Sequence, residues 1–374
     1  MILPELDADR RALREVVDQF LAEASSSEVV HRVVDGGGAA ALDRAVAEMG
    51  WVGIDVPESL GGGGAGLSEL AVVLRGCGAA SASTRLLGTG VLCVGALLAA
   101  GSDDQRERWV PPLVDGSLAG AVAMPGVFSS GERVAAQETG EGWVLDGTAS
   151  FVVDLVGADV VVVRAVSSSA GAVLAVVQTA ADGVSVVHQP TVDRTRSLGR
   201  LALDGVAVGP DAVLAVGSTA DTAIEALVDR VAVAMAADAV GITSRVLEMT
   251  TTYTRQREQF GRPIGSFQAV KHQAADVLVG LEGARVLLDQ AAVEVGAGAA
   301  TASRTASMAK DLACGVAARA AGTAIQLHGG IGYTWEHDLH IHLKRAKLDE
   351  ALFGDGRWHR SRVVGLLGDG GLIG

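Results

Sequence analysis

Aromatic residues are scarce in this sequence. Phe, Trp and Tyr make up 3% of its 374 residues, whereas hydrophobic residues as a whole make up 49%. We therefore expect a large interior filled by valine, alanine and leucine. A chain of this length exceeds one ordinary core, so two or three domains are expected.

Cysteine is also rare. Cys77, Cys93 and Cys314 lie far apart and form no C-x-x-C pair. This pattern argues against zinc and disulfide roles, so no metal site is predicted. The three residues are interpreted as small buried hydrophobic side chains in a reducing compartment.

Positive charge is in deficit, with a net charge of -14 at pH 7. Nucleic acid and anionic membrane surfaces would repel such a chain, so neither is expected as a partner. No run of about 20 apolar residues free of charge and glycine is present, as a bilayer span would require. The acidic start MILPELDADRR is unlike a signal peptide, so we expect a cytoplasmic protein.

Hydrophobic periodicity changes twice along the chain. Helical spacing predicts two helices over residues 7–49, separated by Gly36 to Gly38, then helices over 67–80 and 84–100 and from Ser102. Short segments rich in β-branched residues follow. Helical spacing returns from Asp221 to about Leu367. We predict an α+β fold with an N-terminal helical domain (1–116), a central antiparallel β domain (117–216) and a C-terminal domain like a four-helix bundle (217–374).

The stretch YTRQREQFGRPIGSFQAVKHQ, from Tyr253 to Gln273, holds most of the candidate binding residues. A helix is expected to end near Arg257, turn between Gly261 and Gly265, and restart with Ser266 as its N-cap. Backbone N–H groups and guanidinium donors at such a break can bind one anionic ligand. The spacing alone fits an ordinary helix corner with solvated arginines equally well.

Three segments, residues 51–70, 257–276 and 325–347, resemble the acyl-CoA dehydrogenase family of flavoproteins in sequence and order, and the likeness covers nearly the whole chain. The resemblance implies FAD as cofactor, with Arg257, Phe260 and Gln268 contacting the FAD of a neighbouring subunit. It implies a second cofactor segment at Gln326, Gly329 and Gly330. The cofactor-binding candidates within these motifs also include Ile264, Phe267 and Leu327.

The match is weaker in the β domain. Many members carry an aromatic-x-Thr pattern beside the flavin ring and a Thr-Glu-Pro turn upstream of it. Here the strand reads Phe151, Val152, Val153, and the turn reads Ala123, Met124, Pro125. A hydroxyl contact to the flavin is therefore absent at Val153, although backbone groups there could still bind the ring edge.

The resemblance implies α,β-dehydrogenation of an acyl-CoA thioester, in which a carboxylate removes the α proton. In many members this carboxylate is the Glu of a Tyr-Glu-Gly-Thr turn. When the two sequences are aligned, Phe353 occupies the position of that Glu, Gly354 that of the glycine and Asp355 that of the Thr. In other members the catalytic Glu lies on an earlier helix, and that position corresponds to Val231 here. Asp229 could act as the base only if the alignment shifted by two residues.

The remaining candidate bases are Asp355, Asp229 and Glu350, and each also fits a surface carboxylate. Glu350 in particular is placed to pair with Arg345 or Lys347. Four histidines lie in the same region. A histidine could also act as the base, since imidazole titrates near neutral pH, but histidines beside helices are more often structural and the resemblance gives these no role. They are His328, His337, His340 and His342.

Some members of the family form α2β2 assemblies in which one subunit keeps the base and the other supplies part of the FAD site. This sequence resembles the second kind, whose assemblies act on bulky CoA esters, including steroid fragments. We therefore expect an acyl-CoA substrate, a homologous partner subunit or a homotetramer, and an acceptor of the electron-transfer-flavoprotein type. Two alternatives stay open: a non-catalytic partner subunit, and the same fold with another reaction, such as an oxidase using Asp355 as base.

Overall fold

A computed structural model describes residues 8–128 and 131–369 of the chain. Its helices are α1 (Ala8–Ala24), α2 (Ser27–Val34), α3 (Ala40–Glu48), α4 (Leu67–Ala79), α5 (Val94–Ala100), α6 (Asp103–Val114), α7 (Ser218–Gln256), α8 (Gln268–Gly296), α9 (Ala302–His328), α10 (Leu339–Ala351) and α11 (Gly356–Asp369). Its strands are β1 (Gly120–Ala123), β2 (Val134–Thr139), β3 (Gly142–Val153), β4 (Val160–Ser167), β5 (Gly171–Gln178), β6 (Val184–His188), β7 (Leu198–Val208), β8 (Val213–Val216), β9 (Glu258–Gln259) and β10 (Arg262–Pro263).

The chain divides into two compact units. One contains the residues up to Gly37, Leu67–Ser83 and everything from Ala232 onward, and the other contains Gly38–Gly66 and Thr84–Val231. Three-domain boundaries at 116 and 216 stay a prediction. No helix within the described residues is long and apolar enough to cross a bilayer.

The N-terminal region is helical, but the prediction of two helices over residues 7–49 is wrong, because the structure has three. The extra break lies at Ser26, which takes an extended conformation before α2. The start of α6 is as predicted. The Ser102 hydroxyl accepts the Gln105 N–H (3.3 Å), and the Gln105 side chain accepts the Ser102 N–H (2.8 Å), which is a capping box.

The single helix predicted over 84–100 is instead a buried π-helical segment, Leu86–Cys93, followed by α5. The Asp154 carboxylate accepts the Gly88 N–H near its start, at 2.8 Å. The Arg230 guanidinium donates to the Val91 carbonyl near its end, at 2.7 Å. Side chains that bond individual backbone groups in this way stabilise a helical form that is rare in isolation.

One eight-stranded sheet forms the middle of the chain, in the order β6-β7-β3-β2-β4-β5-β8, with β1 paired to β4. Its interior side chains are mostly valine, alanine and leucine, as the composition predicts. The α+β fold class is confirmed. The sheet is mixed rather than purely antiparallel, because β1 runs parallel to β4 and β2 meets β4 in parallel through Ala135 and Val166.

The C-terminal helices enclose a buried ion pair. The Arg345 guanidinium donates to both carboxylate oxygens of Asp238, at 2.6 and 2.9 Å, and to the Ala82 carbonyl at 2.9 Å. Both charged side chains are 2% exposed. Two-point geometry of this kind fixes the register of α10 against α7.

The surface of α8 carries a row of apolar side chains. Val279, Val286 and Val293 recur every seven residues and are 73%, 36% and 53% exposed. Residues seven apart lie almost above one another on a helix, so they form one stripe. Leu278 beside the stripe is 47% exposed.

Candidate active site

A tight hairpin follows α7 and contains the first group of predicted cofactor residues. Strands β9 and β10 pair antiparallel, and Phe260 and Gly261 form the turn with φ values of +54° and +76°. Positive φ at both positions is the type I′ geometry that suits a hairpin, but it strains a residue with a side chain. The Phe260 side chain is 91% exposed. Strained, exposed residues of this kind cluster at binding sites.

Hydrogen-bond donors are available beside the hairpin. Arg257 is exposed, and its guanidinium forms no ion pair with any side chain in the described part of the chain. The Arg262 guanidinium lies 4.1 Å from the centre of the Phe267 ring, and that ring meets Phe260 edge to face at 6.1 Å. The segment therefore offers one cation free for an anion and a second cation held on an aromatic ring.

The next helix begins two residues later than predicted. Ile264 to Ser266 form a 3₁₀ turn, Phe267 is the residue before the helix, and α8 starts at Gln268. Ser266 is therefore not the N-cap. Gln268 is exposed on the first turn of α8, where its amide can reach a ligand.

The second group of predicted cofactor residues lies at the end of α9. Gln326 is exposed, Leu327 is half-buried, and Gly329 ends the helix with φ +63° and ψ -140°. This conformation is essentially restricted to glycine. A Cβ added at Gly329 or Gly330 would meet no atom within 4 Å, so the backbone here borders open space.

Tyr253 and His328 join the two groups. The Tyr253 ring stacks on the His328 ring, with centres 4.3 Å apart and an interplanar angle of 18°. The Tyr253 hydroxyl donates to the His328 carbonyl at 3.2 Å. Tyr253 precedes the hairpin and His328 precedes Gly329, so the structure brings the two predicted segments together within one chain.

The turn after α10 holds Phe353 at the position of the usual base. Phe353 is half-buried with φ +55°, and its carbonyl accepts a hydrogen bond from His359 Nε2 at 3.0 Å. The buried amine of Lys310 donates to the carbonyls of Glu350 (3.1 Å) and Gly354. Lys310 thus binds one carbonyl in the last turn of α10, a favourable place for a cation, and one in the turn that follows the helix.

The two acidic residues beside this turn have ordinary structural contacts. Asp355 is exposed and accepts the Trp358 N–H at 2.8 Å, which caps α11. That hydrogen bond lowers the pKa of Asp355, whereas a general base needs a pKa raised towards neutrality. Glu350 pairs with Lys347 at 3.0 Å, one of the two partners expected for it.

Asp229 differs from these residues in being buried, with 7% exposure on α7. Its neighbour Arg230 pairs with Asp55 at 2.6 Å. Burial is one condition for a carboxylate base, because it disfavours the charged form. A catalytic role for Asp229 or Asp355 stays a prediction.

The four histidines make the contacts of packed side chains. His328 Nδ1 lies 2.7 Å from the Ala324 carbonyl, and His342 Nδ1 lies 3.0 Å from the Ser81 hydroxyl. The His340 ring stacks on Trp335 at 4.7 Å, and His337 meets His328 edge to face at 4.9 Å. Burial lowers the pKa of each of the four, that of His342 to about 4. Within the described residues, no group of three or more His, Cys, Asp or Glu side chains could hold a metal ion.

Strand β3 carries Phe151, the aromatic residue that the family resemblance implies lies beside a flavin. Pairing with β7 shifts register between Ala149 and Val152, so Ser150 and Phe151 form a bulge. Phe151 has φ +57° and is 60% exposed, and Val153 is buried. Upstream, β1 ends at Ala123, and the following Pro125 carbonyl accepts a hydrogen bond from Arg164 at 2.9 Å.

Comparison with known proteins decides the family. The model of the acyl-CoA dehydrogenase N-terminal domain matches residues 7–117, and that of the C-terminal domain matches residues 221–365. Acyl-CoA dehydrogenase IpdE2 of Mycolicibacterium smegmatis is 32% identical over 361 residues, which cover 96% of this chain and 98% of that protein. The chain belongs to the acyl-CoA dehydrogenase family.

Two solved structures with similar folds are each named for a pair of proteins. A chain of the ChsE4-ChsE5 complex from Mycobacterium tuberculosis is 32% identical with a TM-score of 0.89, covering 99% of both chains. A chain of the Tcur3481-Tcur3483 steroid ACAD is 30% identical with a TM-score of 0.87, covering 98% of this chain and 100% of that one.

The residues present fit the cofactor expected of an acyl-CoA dehydrogenase. Gly329 and Gly330 border space that a side chain would enter, so a phosphate could approach their backbone. Arg257 has the fork of donors that a pyrophosphate binds best. Together with the exposed Phe260 ring, these groups match the charged and apolar parts of a dinucleotide such as FAD.

Sequence reasoning missed the side chains that support the Phe151 bulge. Glu132 accepts hydrogen bonds from the Ser150 N–H (2.5 Å) and hydroxyl (2.8 Å), and Gln189 accepts the Phe151 N–H (2.5 Å). Both residues lie far from Phe151 in sequence, and neither belongs to a motif. Only strand pairing could have identified them.

Proposed function

We propose that this chain acts in the FAD-dependent α,β-dehydrogenation of an acyl-CoA thioester, as one subunit of a hetero-oligomer with a homologous acyl-CoA dehydrogenase. The proposal of a hetero-oligomer rests on Phe353, which stands at the position of the usual catalytic Glu. A half-buried phenyl ring accepts no proton, so the α proton must be removed by another carboxylate. The partner subunit is the simplest source of that carboxylate.

The cofactor half of the proposal rests on two segments of this chain. Arg257, Phe260 and Gln268 would bind FAD from the hairpin side, with Ile264 and Phe267 lining it. The Gly329–Gly330 backbone, with Gln326 and Leu327, would bind it from the end of α9. Bound FAD supplies an acceptor for the hydride that leaves the β carbon.

Two further observations support a homologous partner. The valine stripe on α8 exposes apolar surface of the kind that marks protein contacts. The similar ChsE4-ChsE5 and Tcur3481-Tcur3483 structures are each named for two different proteins. A steroid-derived or similarly bulky acyl-CoA is the proposed substrate class, since the second of these is described as a steroid ACAD.

The alternative is a non-catalytic subunit that only completes the FAD site of a Glu-bearing homologue. It is favoured by the same residue, Phe353, because the nearby Asp355 caps a helix and Glu350 pairs with Lys347. An acceptor of the electron-transfer-flavoprotein type would reoxidise the assembly in either case. Rapid turnover with oxygen alone would instead indicate an oxidase.

Co-expression with homologous subunits that carry Glu at the position of Phe353 tests the proposal. We expect a mixed oligomer by native mass spectrometry, bound FAD, and dehydrogenase turnover that the chain alone lacks. Absence of flavin from the chain and from every such mixture would contradict FAD binding. Full turnover by a homotetramer of this chain would refute the need for a partner.

Replacement of the partner's Glu by Gln separates the two candidate functions. If this chain carries a base of its own, part of the turnover survives. If turnover disappears completely while FAD stays bound, this chain is the non-catalytic subunit.

A further inference from the structure

Histidines flank the segment of residues 329–337, which connects α9 to α10. His328 precedes this connecting segment, His337 ends it, and His340 follows it on the first turn of α10. Within the segment, the Thr334 N–H donates to the Ile331 carbonyl at 3.1 Å. Imidazoles titrate near neutral pH, so the contacts of these three rings decide whether the segment responds to protons.

The His337 ring is held in its neutral form by the start of α10. Its Nδ1 accepts the Leu339 N–H at 3.3 Å, and a nitrogen that accepts a hydrogen bond carries no proton. Asp338, the residue before the helix, makes no side-chain bond to the first turn. His337 therefore satisfies one of the N–H groups that a helix leaves open at its start. A proton on Nδ1 would set two donors against each other.

The His340 ring is fixed in the same tautomer. Its Nε2 lies 3.0 Å from the Trp335 carbonyl, which can only accept, so Nε2 carries the proton. Its Nδ1 lies 3.1 Å from the Lys344 ammonium, which can only donate. The same ring stacks on Trp335, with centres 4.7 Å apart. A second proton on His340 would break the Lys344 bond and place two positive charges side by side.

The start of the segment also depends on neutral rings. The His337 ring meets the His328 ring edge to face at 4.9 Å, and the His328 ring stacks on Tyr253 of α7. Protonation of both imidazoles would bring like charges to this distance. Burial lowers the pKa of His328, His337 and His340, although Asp338 attracts a proton to the last two.

The other end of the segment is anchored in a way that acid does not weaken. Asp338 accepts the Ser27 hydroxyl of α2 at 2.6 Å and lies 2.9 Å from His31 Nε2. A proton on His31 would increase its attraction to this carboxylate, although the His31 ring also lies 6.0 Å from the His340 ring. Helix α10 thus stays attached to α2 in mild acid, while the segment before it loses contacts.

We propose that His337 and His340 form a proton-sensitive latch, which keeps residues 329–337 closed while both imidazoles are neutral and releases them when the imidazoles gain a proton. Both histidines act by holding the segment, so they are positioning residues. Because the segment carries Gly329 and Gly330, the latch also controls the release of a bound cofactor. That consequence rests on the proposed function, whereas the latch itself does not.

The closed segment loses stability as pH falls. Once the segment opens, His337 and His340 return to the ordinary imidazole pKa of 6.5, whereas the closed form holds both pKa values lower. Opening therefore takes up protons below pH 6.5. Between pH 7.5 and 5.5 the opening equilibrium should rise by up to about tenfold for each histidine that stays neutral when closed.

Hydrogen–deuterium exchange of the full chain at pH 7.5 and 5.5 tests the latch without any cofactor. After correction for intrinsic exchange, peptides that cover residues 329–339 should lose about ten- to a hundredfold of their protection at the lower pH. Peptides from β4 and β5, which contain no histidine, are the internal reference and should lose none. Equal protection of the segment at both pH values would overturn the latch.

Neutral replacements separate protonation from packing. His337→Asn keeps an acceptor for the Leu339 N–H, and His340→Gln keeps both a donor and an acceptor. The double variant should therefore stay closed at both pH values. His188→Gln, at an exposed histidine on β6, is the matched control and should open in acid as the wild type does. A double variant that still opens in acid would refute the role of the two histidines.

Release of FAD from the loaded assembly tests the cofactor consequence. The release rate should be at least about tenfold faster at pH 5.5 than at pH 7.5 in the wild type, and equal at both in the double variant. An assembly that binds no FAD at either pH contradicts the proposed function, and the exchange result alone then decides the latch. Release that is independent of pH, in a wild type whose segment does open, contradicts only the control of the cofactor.

Discussion

The buried Asp154 is predicted to destabilise the protein at neutral pH. It follows β3 directly, and its carboxylate accepts the Gly88 N–H at 2.8 Å. Burial raises its pKa from the ordinary 3.8 to about 7, and the Gly88 hydrogen bond and Arg196 oppose that rise only partly. Asp43 adds to the rise, and Arg85 lowers the pKa slightly.

The free energy of unfolding depends on pH because the Asp154 carboxyl has different pKa values in the folded and unfolded states. Well below pH 3.8 the carboxyl is protonated in both states and adds no pH-dependent term to the free energy of unfolding. As pH rises from 3.8 to about 7, only the unfolded state loses its proton, so the free energy of unfolding falls. The two pKa values differ by about 3, and a difference of one corresponds to about 1.4 kcal/mol, so the loss approaches about 4 kcal/mol above pH 7.

Asp154→Asn should remove this loss. Asparagine tolerates the left-handed φ of +58° at this position, and its amide oxygen can accept the Gly88 N–H. We expect the variant to be more stable than the wild type at pH 8 by up to about 4 kcal/mol, with a gain smaller by about 2 to 3 kcal/mol at pH 5.

Equilibrium urea unfolding between pH 5 and 8 measures this difference. Asp146→Asn, at an exposed position on the same strand, is the control and should show no comparable gain. A gain for Asp154→Asn that is independent of pH would show that packing, not charge, is responsible. A loss of stability at pH 8 would refute the reasoning.

Three other predictions address the base, the cofactor and the core. Asp355→Asn should leave turnover of the assembly unchanged, since Asn caps helices as well as Asp does; abolished turnover would instead support Asp355 as a base. Arg257→Lys should weaken FAD binding about tenfold in titrations of the apo-assembly, because Lys cannot replace a guanidinium fork; equal affinity would remove Arg257 from the cofactor site. Asp238→Asn should lower the free energy of unfolding by about 3 to 5 kcal/mol, since it removes the charge from the buried carboxylate that Arg345 bonds at two points; a change below about 1 kcal/mol in urea unfolding would contradict that role.

Hydrophobic periodicity and turn-forming residues predicted most of the helices and strands. Gly261 and Gly329 mark real breaks because their positive φ values exclude most other residues. Strands β1 to β7 lie in the predicted β domain, because β-branched runs alternate there with turn residues. The cofactor segments stay predictions of the resemblance, although the structure brings them together.

Features that depend on contacts distant in sequence could not be predicted. The π-helical segment Leu86–Cys93 has an ordinary apolar sequence, and its form depends on Asp154 and Arg230 from elsewhere in the chain. The parallel pairing of β1 with β4 depends on sheet topology, which strand composition does not encode. The Gln189 contact to Phe151 is of the same kind.

The valine stripe on α8 also has a consequence for how the protein can be produced. The exposed side chains of Val279, Val286 and Val293 add apolar surface to an isolated chain, and such surface favours self-association and aggregation at the concentrations reached during overexpression. We therefore expect the soluble yield to rise when a matching subunit is synthesised at the same time. If the proposed partner subunit covers this stripe, chain made in excess of that partner would be removed by proteases in a cell, and the abundance of the two subunits would stay matched without regulation at the level of transcription.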